Sequence, residues 1–221
     1  MVSARISRSF APAPPPAKLI DDHRFRALLS DEDWGRLPLA VWRRFSMRLA
    51  DGNTIVYVGE VDSADISLAG WCIAQAIRVI GGPLPTAAAT GVPMIVAVTE
   101  DAASGGQIWT RMTGRRRGFP QVIHSCKRFA GPTGLEEYVG YGIGVALRIC
   151  VTNEALVFRS VGYFLQIGRW KWPLPVWLTP GDLTVTHADL GGDAFRFTLE
   201  IVHPHLGPLL RHSAVFKEAT S

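Results

Sequence analysis

Trp109, Arg111, Arg115, Arg116 and Arg117 crowd into residues 106–120. An arginine fork offers two parallel N–H donors to a carboxylate or a phosphate. Mixed with an aromatic ring, it also suits single-stranded nucleic acid. Strand alternation puts Gln107, Trp109 and Arg111 on one face and Ile108, Thr110 and Met112 on the other. Gly114 then opens a turn carrying the other three arginines, and the chain returns at Gln121. Three readings of that turn stand side by side. It is a solvated hairpin tip, paired with carboxylates such as Glu136 and Glu137; or it contacts a small anion or headgroup; or it binds nucleic acid. A net charge of +4 weighs against the last, because nucleic-acid binders concentrate more charge on one face. No nucleic-acid partner is expected.

A second stretch, residues 168–180, holds Trp170, Trp172 and Trp177 among prolines 173, 175 and 180, with Arg169 and Lys171 interleaved. So stiff and apolar a connection folds over one end of the core. Alternatively, Trp170 and Trp177 form the lid of an apolar pocket, or an amphipathic contact with a membrane or partner. A third feature lies in residues 143–151. Their odd positions are all large and apolar, whereas the even ones are Gly144, Ala146, Arg148 and Cys150. Small residues there leave room for a packed helix or for a ligand, with Arg148 as its charged neighbour.

Other chemistries find less support. His203 and His205 are spaced by two, but no cysteine or carboxylate stands at ligand spacing, so no metal is expected. His124 or His187 with an arginine could make an acid–base site, the enzymatic alternative. No nucleophile is paired with either, and the G-x-S-x-G, H-E-x-x-H and P-loop patterns are missing from the sequence. Gly140, Gly142 and Gly144 imitate a dinucleotide fingerprint, but a strand rather than a helix follows, and strand glycines mark bends or bulges. No cofactor is expected.

The elements that must position these residues follow from periodicity. Residues 23–29 and 37–45 read as short helices, the second with Pro38 in its first turn. Asp51-Gly-Asn53 is a turn signal, and residues 54–61 read as a strand. Residues 66–80 form a helix that is apolar around nearly its whole circumference, so it must be covered on most sides. Asp62, Ser63 or Asp65 caps it, and Gly81-Gly-Pro83 stops it. Beyond Gly91 the period becomes two. Strands are predicted over 94–100, 107–112, 121–127, 143–151, 156–162, 183–188, 195–202 and 210–216. Links this short join antiparallel strands. The fold class is therefore α+β: a large, curved, meander-like antiparallel sheet of about eight or nine strands. It wraps around the helix at 66–80, with short helices in the N-terminal third.

Length and composition fit this. The chain of 221 residues suits one domain with a tail. Residues 1–20 are a basic, proline-rich, disordered tail, and 21–221 the single domain. Cys72, Cys126 and Cys150 are odd in number and show no C-x-x-C pair, so free thiols in a reducing cytoplasm are expected. No apolar run reaches the length of a transmembrane helix.

Several segments, taken in order, resemble the DUF4166 family of uncharacterised, mainly bacterial domains. They are Leu37-Pro-Leu-Ala-Val-Trp-Arg-Arg-Phe45, Gly82-Pro-Leu-Pro85, Val92-Pro-Met-Ile-Val96, Trp109-Thr-Arg111, Pro173-Leu-Pro-Val-Trp-Leu-Thr-Pro180 and Phe195-Arg-Phe197. The resemblance spans roughly residues 22–217 and implies an accessory role beside a dehydrogenase-type partner. It carries over no catalytic residue. The combined expectation is a non-enzymatic module for an apolar or amphipathic small molecule. Trp109, Arg111, Arg115, Arg116 and Arg148 would be its polar contacts, and Trp170 and Trp177 its rim. The alternatives are the histidine enzyme and a structural interaction domain.

Overall fold

A computed structural model describes residues 19–49 and 53–219. The tail expected at 1–20 falls almost wholly outside these residues, and so does most of the turn at 51–53.

The chain opens with a short strand, β1 (Leu19–Asp21), which later pairs with β2 (Met47–Leu49). Between them lie a single 3-10 turn (Arg26–Leu28) and the helices α1 (Asp31–Gly35) and α2 (Leu39–Phe45). Ser30 caps α1 by accepting from the Asp33 amide, and Pro38 precedes the first residue of α2. Then come β3 (Thr54–Ile66) and α3 (Leu68–Ala76), which ends in a 3-10 turn (Ile77–Ile80). The rest is strand: β4 (Pro93–Asp101), β5 (Gly106–Thr113), β6 (Gln121–Arg128), β7 (Leu135–Gly140), β8 (Ile143–Thr152), β9 (Ala155–Ile167), β10 (Trp170–Pro173), β11 (Asp182–Gly191), β12 (Ala194–His203) and β13 (Gly207–Glu218).

These strands correct the expected architecture. The sheet is not open and does not wrap a helix. It is a closed antiparallel barrel of ten strands with β10 as one outer strand. The cause lies in β9. Along its length it pairs with β8, and its first half also pairs with β11. Its last four residues carry β10 instead. With β13 bonded to β3, the circle closes and no long edge remains exposed. The molecule is mostly β, so the α+β class is replaced. Four strands had no place in the expected set: the short pair β1 and β2 outside the barrel, β7, and β10 within the tryptophan–proline stretch.

The apolar helix is also shorter than expected. β3 runs on to Ile66, so the cap is Ser67, which accepts from the Gly70 amide at 3.1 Å. Only Gly70 and Ala74 are buried on α3, while Leu68 is 79% exposed. A narrow stripe of small residues lets the helix lie flat across one end of the barrel against β13. Its circumference is therefore not covered. Gly70 sits so close that an added Cβ would stand 2.1 Å from the Leu209 carbonyl oxygen. Gly70→Ala is thus expected to destabilise by about 1–3 kcal/mol through overpacking, against the usual gain of replacing a helix glycine. Gly35→Ala, with open space around its Cβ, is the control. Urea midpoints of the two variants check the contrast.

The opposite end is plugged. Phe25, Trp34, Leu37, Val41 and Phe45 pack into one buried cluster with Leu147, Ile149, Leu156 and Phe158 of β8 and β9. Phe25 meets Phe45 edge-on at 5.1 Å, and Arg24 donates to the Gly105 carbonyl at 2.6 Å, tying this segment to the β4–β5 turn. Burying one such phenylalanine stabilises by roughly 1.5–3 kcal/mol. The N-terminal helices therefore close a floor, and the end near α3 is left as the mouth.

Candidate functional site

Eight strands give a barrel just enough interior for side chains or one small ligand, so ten leave more. Here the inward faces of the strands enclose a cavity of about 180 Å³. Met94, Val96, Val145, Val185, Leu199 and Phe216 form much of its wall. At the mouth it is bounded by Ile77 and Ile80 beyond α3, by residues 83–85, and by Leu174, Leu178 and Pro180. Around that mouth stand exposed apolar groups: Val79 at 81%, Trp177 at 75% and Phe119 at 91% exposure.

One wall of this apolar space is polar. It is built by three neighbouring strands whose inward positions coincide: Arg111 on β5, Ser125 and Lys127 on β6, Glu137 on β7. Lys127 Nζ lies 2.9 Å from Glu137 Oε2, and Arg111 Nη2 lies 3.4 Å from Oε1. Ser125 Oγ donates to Glu137 at 2.6 Å and accepts from Arg111 Nη1 at 2.9 Å. Burial alone would raise the Glu137 carboxyl, but Lys127, Arg111 and the Ser125 hydrogen bond together outweigh it and hold the group at about 2. Burial pushes the Lys127 ammonium downward, and Glu137 opposes that shift. Lys127 also lies over the Trp109 ring at 4.5 Å.

Two further polar groups face the same cavity. Tyr163 Oη is buried and, among the described residues, has no hydrogen-bond partner within 3.5 Å. Burial raises its pKa and outweighs a slight lowering by the Ser160 hydroxyl, so it stays a phenol. His212 is buried, and desolvation holds its imidazole below the ordinary value and favours the neutral form.

Trp109 and Phe197 meet edge-on at 5.8 Å and separate this cavity from a smaller one of about 70 Å³ below. Arg44, Tyr57, Gln107 and His187 line the lower space. Gln107 accepts from Trp109 Nε1 at 3.2 Å, which fixes the indole in the partition.

The sequence-predicted residues divide accordingly. Trp109 and Arg111 do share an inward face and both line the cavity. Arg115 and Arg116 are exposed on the β5–β6 hairpin near the mouth. Arg115 donates to Thr86 Oγ1 at 2.7 Å and Arg116 to the Thr90 carbonyl at 3.4 Å, while Glu136 and Glu137 are engaged elsewhere. Trp170 and Trp177 are exposed, and from their segment it is Leu174 and Leu178 that reach the cavity. Arg148 is exposed on β8, opposite in parity to Val145 and Leu147, and does not line the cavity. The room expected beside Gly144 is filled from outside by the Phe164 ring, 2.4 Å from where a Cβ would be. His124 borders the cavity with Arg111, but its ring is exposed and bonded to Thr110 Oγ1 at 3.0 Å, and His187 belongs to the lower space, which Arg111 does not line. Among the described residues no cluster of three or more histidines, cysteines or carboxylates could hold a metal.

The family model described as Domain of unknown function (DUF4166) matches residues 37–216. The chain belongs to the DUF4166 family. The match runs from just before α2 into β13, two residues short of its end, so the DUF4166 unit takes in nearly the whole barrel and all of the polar wall. α1 and Phe25, which complete the floor, lie before it. No curated protein and no solved structure matches the chain. Among the described residues no helix is long and apolar enough to cross a membrane.

Ser125, Lys127 and Tyr163 were not singled out by sequence, and Glu137 was named only as a carboxylate partner for the hairpin arginines. A signal existed for the first two: in residues 121–128 they alternate in phase with Ile123, which places polar groups on an inward face. The inward place of Glu137 had none, because residues 135–140 did not read as a strand.

Proposed function

We propose that this DUF4166 barrel is a binding module for an apolar or amphipathic small molecule. The observation that carries the reading is one cavity, open at the α3 end, apolar on most sides and polar on a single wall. Ligand sites have this composition: a greasy lining with a few fixed polar groups that set orientation. Trp109 forms the cavity's floor and Arg111 belongs to its polar wall. The segment 174–180 acts as lid, and Trp170 and Trp177 form the outer rim. Three free cysteines fit work in a reducing cytoplasm.

Native mass spectrometry of the protein purified from its own cells tests this. A small molecule released on denaturation is the expected result. In Arg111→Ala the bound fraction should fall about tenfold or more, the factor carried by ~1.4 kcal/mol. Circular dichroism should show the barrel retained. An empty wild-type mass would overturn the reading. Weight would then pass to the exposed apolar rim as a contact for a dehydrogenase-type partner, which co-purification would reveal.

A further inference from the structure

We infer that the cavity's ligand is a small apolar carboxylic acid whose carboxylate sits against Arg111 and Tyr163. This deepens the binding-module reading and rests on it.

The argument is a count of charges, donors and acceptors. The wall carries two cationic side chains, Arg111 and Lys127, against the single carboxylate of Glu137. Glu137 already accepts from Ser125, Lys127 and Arg111. A guanidinium has five N–H donors and an ammonium three. Two contacts of Arg111 are accounted for at Ser125 and Glu137, the second long at 3.4 Å. Ser125 spends its proton on Glu137. Tyr163 adds a phenol with no partner within 3.5 Å among the described residues. The cavity is therefore rich in donors and short of acceptors, and its formal charge is one positive in excess. A buried donor without an acceptor is costly, and an excess buried charge more so. The ligand that completes such a wall brings acceptors and a negative charge together, which a carboxylate does.

The rest of the molecule must be largely apolar, because the remaining walls are, apart from His212. It must also be small. A dry engineered cavity of about 150 Å³ takes benzene. At about 180 Å³ this one takes a single ring or a short branched chain. Anything longer must leave through the mouth between Ile80 and Leu178, which both line it.

The test uses the full chain at neutral pH and reads quenching of tryptophan fluorescence together with calorimetry. The probes are 3-phenylpropionate and octanoate, each beside its uncharged amide. The acids should bind at least about tenfold more tightly than the amides, the usual weight of a hydrogen bond to a charged group. That preference should vanish in Arg111→Met, return in part in Arg111→Lys, and shrink several-fold in Tyr163→Phe. Arg111→Met leaves the Lys127–Glu137 pair intact, and Tyr163→Phe removes only a hydroxyl, so the two do not share a folding risk. Equal binding of acids and amides would overturn the carboxylate inference and leave the binding module standing. No binding of either class at millimolar concentration would overturn both. Octanoate preferred over 3-phenylpropionate, with the acid preference kept, would support the inference and assign a chain rather than a ring.

Discussion

Glu137→Ala is expected to cost about 3–5 kcal/mol of folding stability, the range for breaking one partner out of a buried ion pair. Among the described residues the carboxylate is the only acid in direct contact with Lys127 or Arg111 in the cavity wall. Removing it leaves the Lys127 side chain, 7% exposed, facing the Trp109 ring without a counter-charge. Burial already pulls that ammonium's pKa down, and without Glu137 nothing on the wall opposes the pull. Losing its proton is then the escape, which limits the cost. Glu137→Ala combined with Lys127→Met should recover most of the loss, because two apolar groups replace a pair whose desolvation is expensive. Asp31→Ala, at the exposed Arg26–Asp31 pair, is the control and should leave the urea midpoint in place. A pH arm follows from the sign of the shift. Glu137 is held at about 2, below the ordinary value of 4.5, so its contribution is present above pH 4.5 and fades as the pH falls toward 2. A Glu137→Ala midpoint equal to wild type at pH 7 would mean that the wall is hydrated and the pair worth little.

Most strands of the sheet were legible because period two survives in them; β7 and β10 were not. Phe195, Phe197 and Ile201 share an inward face as alternation requires, and so do Trp109 and Arg111. Closure was not legible. It depends on β9 pairing with β8, β10 and β11 at different points along thirteen residues, and local periodicity does not report pairing partners. The role of the apolar helix was misread for a related reason. Hydrophobicity around the circumference of the expected helix at 66–80 suggested a buried core element. Gly70 and Ala74 instead give one close contact, and the rest of that apolar surface rims a mouth. The site was half visible. Arginine beside tryptophan marked a strand that lines the cavity. The groups that give Arg111 its meaning come from β6, β7 and β9, distant in sequence and joined to it only by register and closure. Arg148 misled because small residues on its face looked like room, whereas Phe164 fills that room from outside.

The second large effect concerns the floor beneath Trp109. Acidification from pH 6.5 to 4.5 is expected to destabilise the protein, with His187 contributing up to ~1.4 kcal/mol for each pH unit. Burial first, and then the Arg44 charge, hold this imidazole at about 3 against an ordinary 6.5. Arg44 Nη1 lies 3.3 Å from Nε2 and can only donate, so Nε2 accepts and Nδ1 carries the proton. Nδ1 has no partner among the described residues, and Phe45, Phe195 and Phe197 surround the ring at 4.5–5.2 Å. A second proton has nowhere favourable to go. The unfolded chain takes that proton near pH 6.5 and the folded one does not until about 3, so stability is full above the first value and drains away between them. His212 is depressed as well and adds to the slope in the same direction. The comparison that isolates His187 is His187→Phe, which keeps the aromatic packing and leaves Arg44 stacked on Phe195 at 4.2 Å and 3.7 Å from Asp189. Stability of the two proteins, measured by urea unfolding across this pH range, should converge by about 2–3 kcal/mol between pH 6.5 and 4.5 as the wild type weakens faster. Parallel curves would mean that His187 takes its proton in the folded state at an ordinary pH, with water reaching the floor. The same water would have a path to the Trp109 partition, and the upper cavity could not then be treated as closed from below.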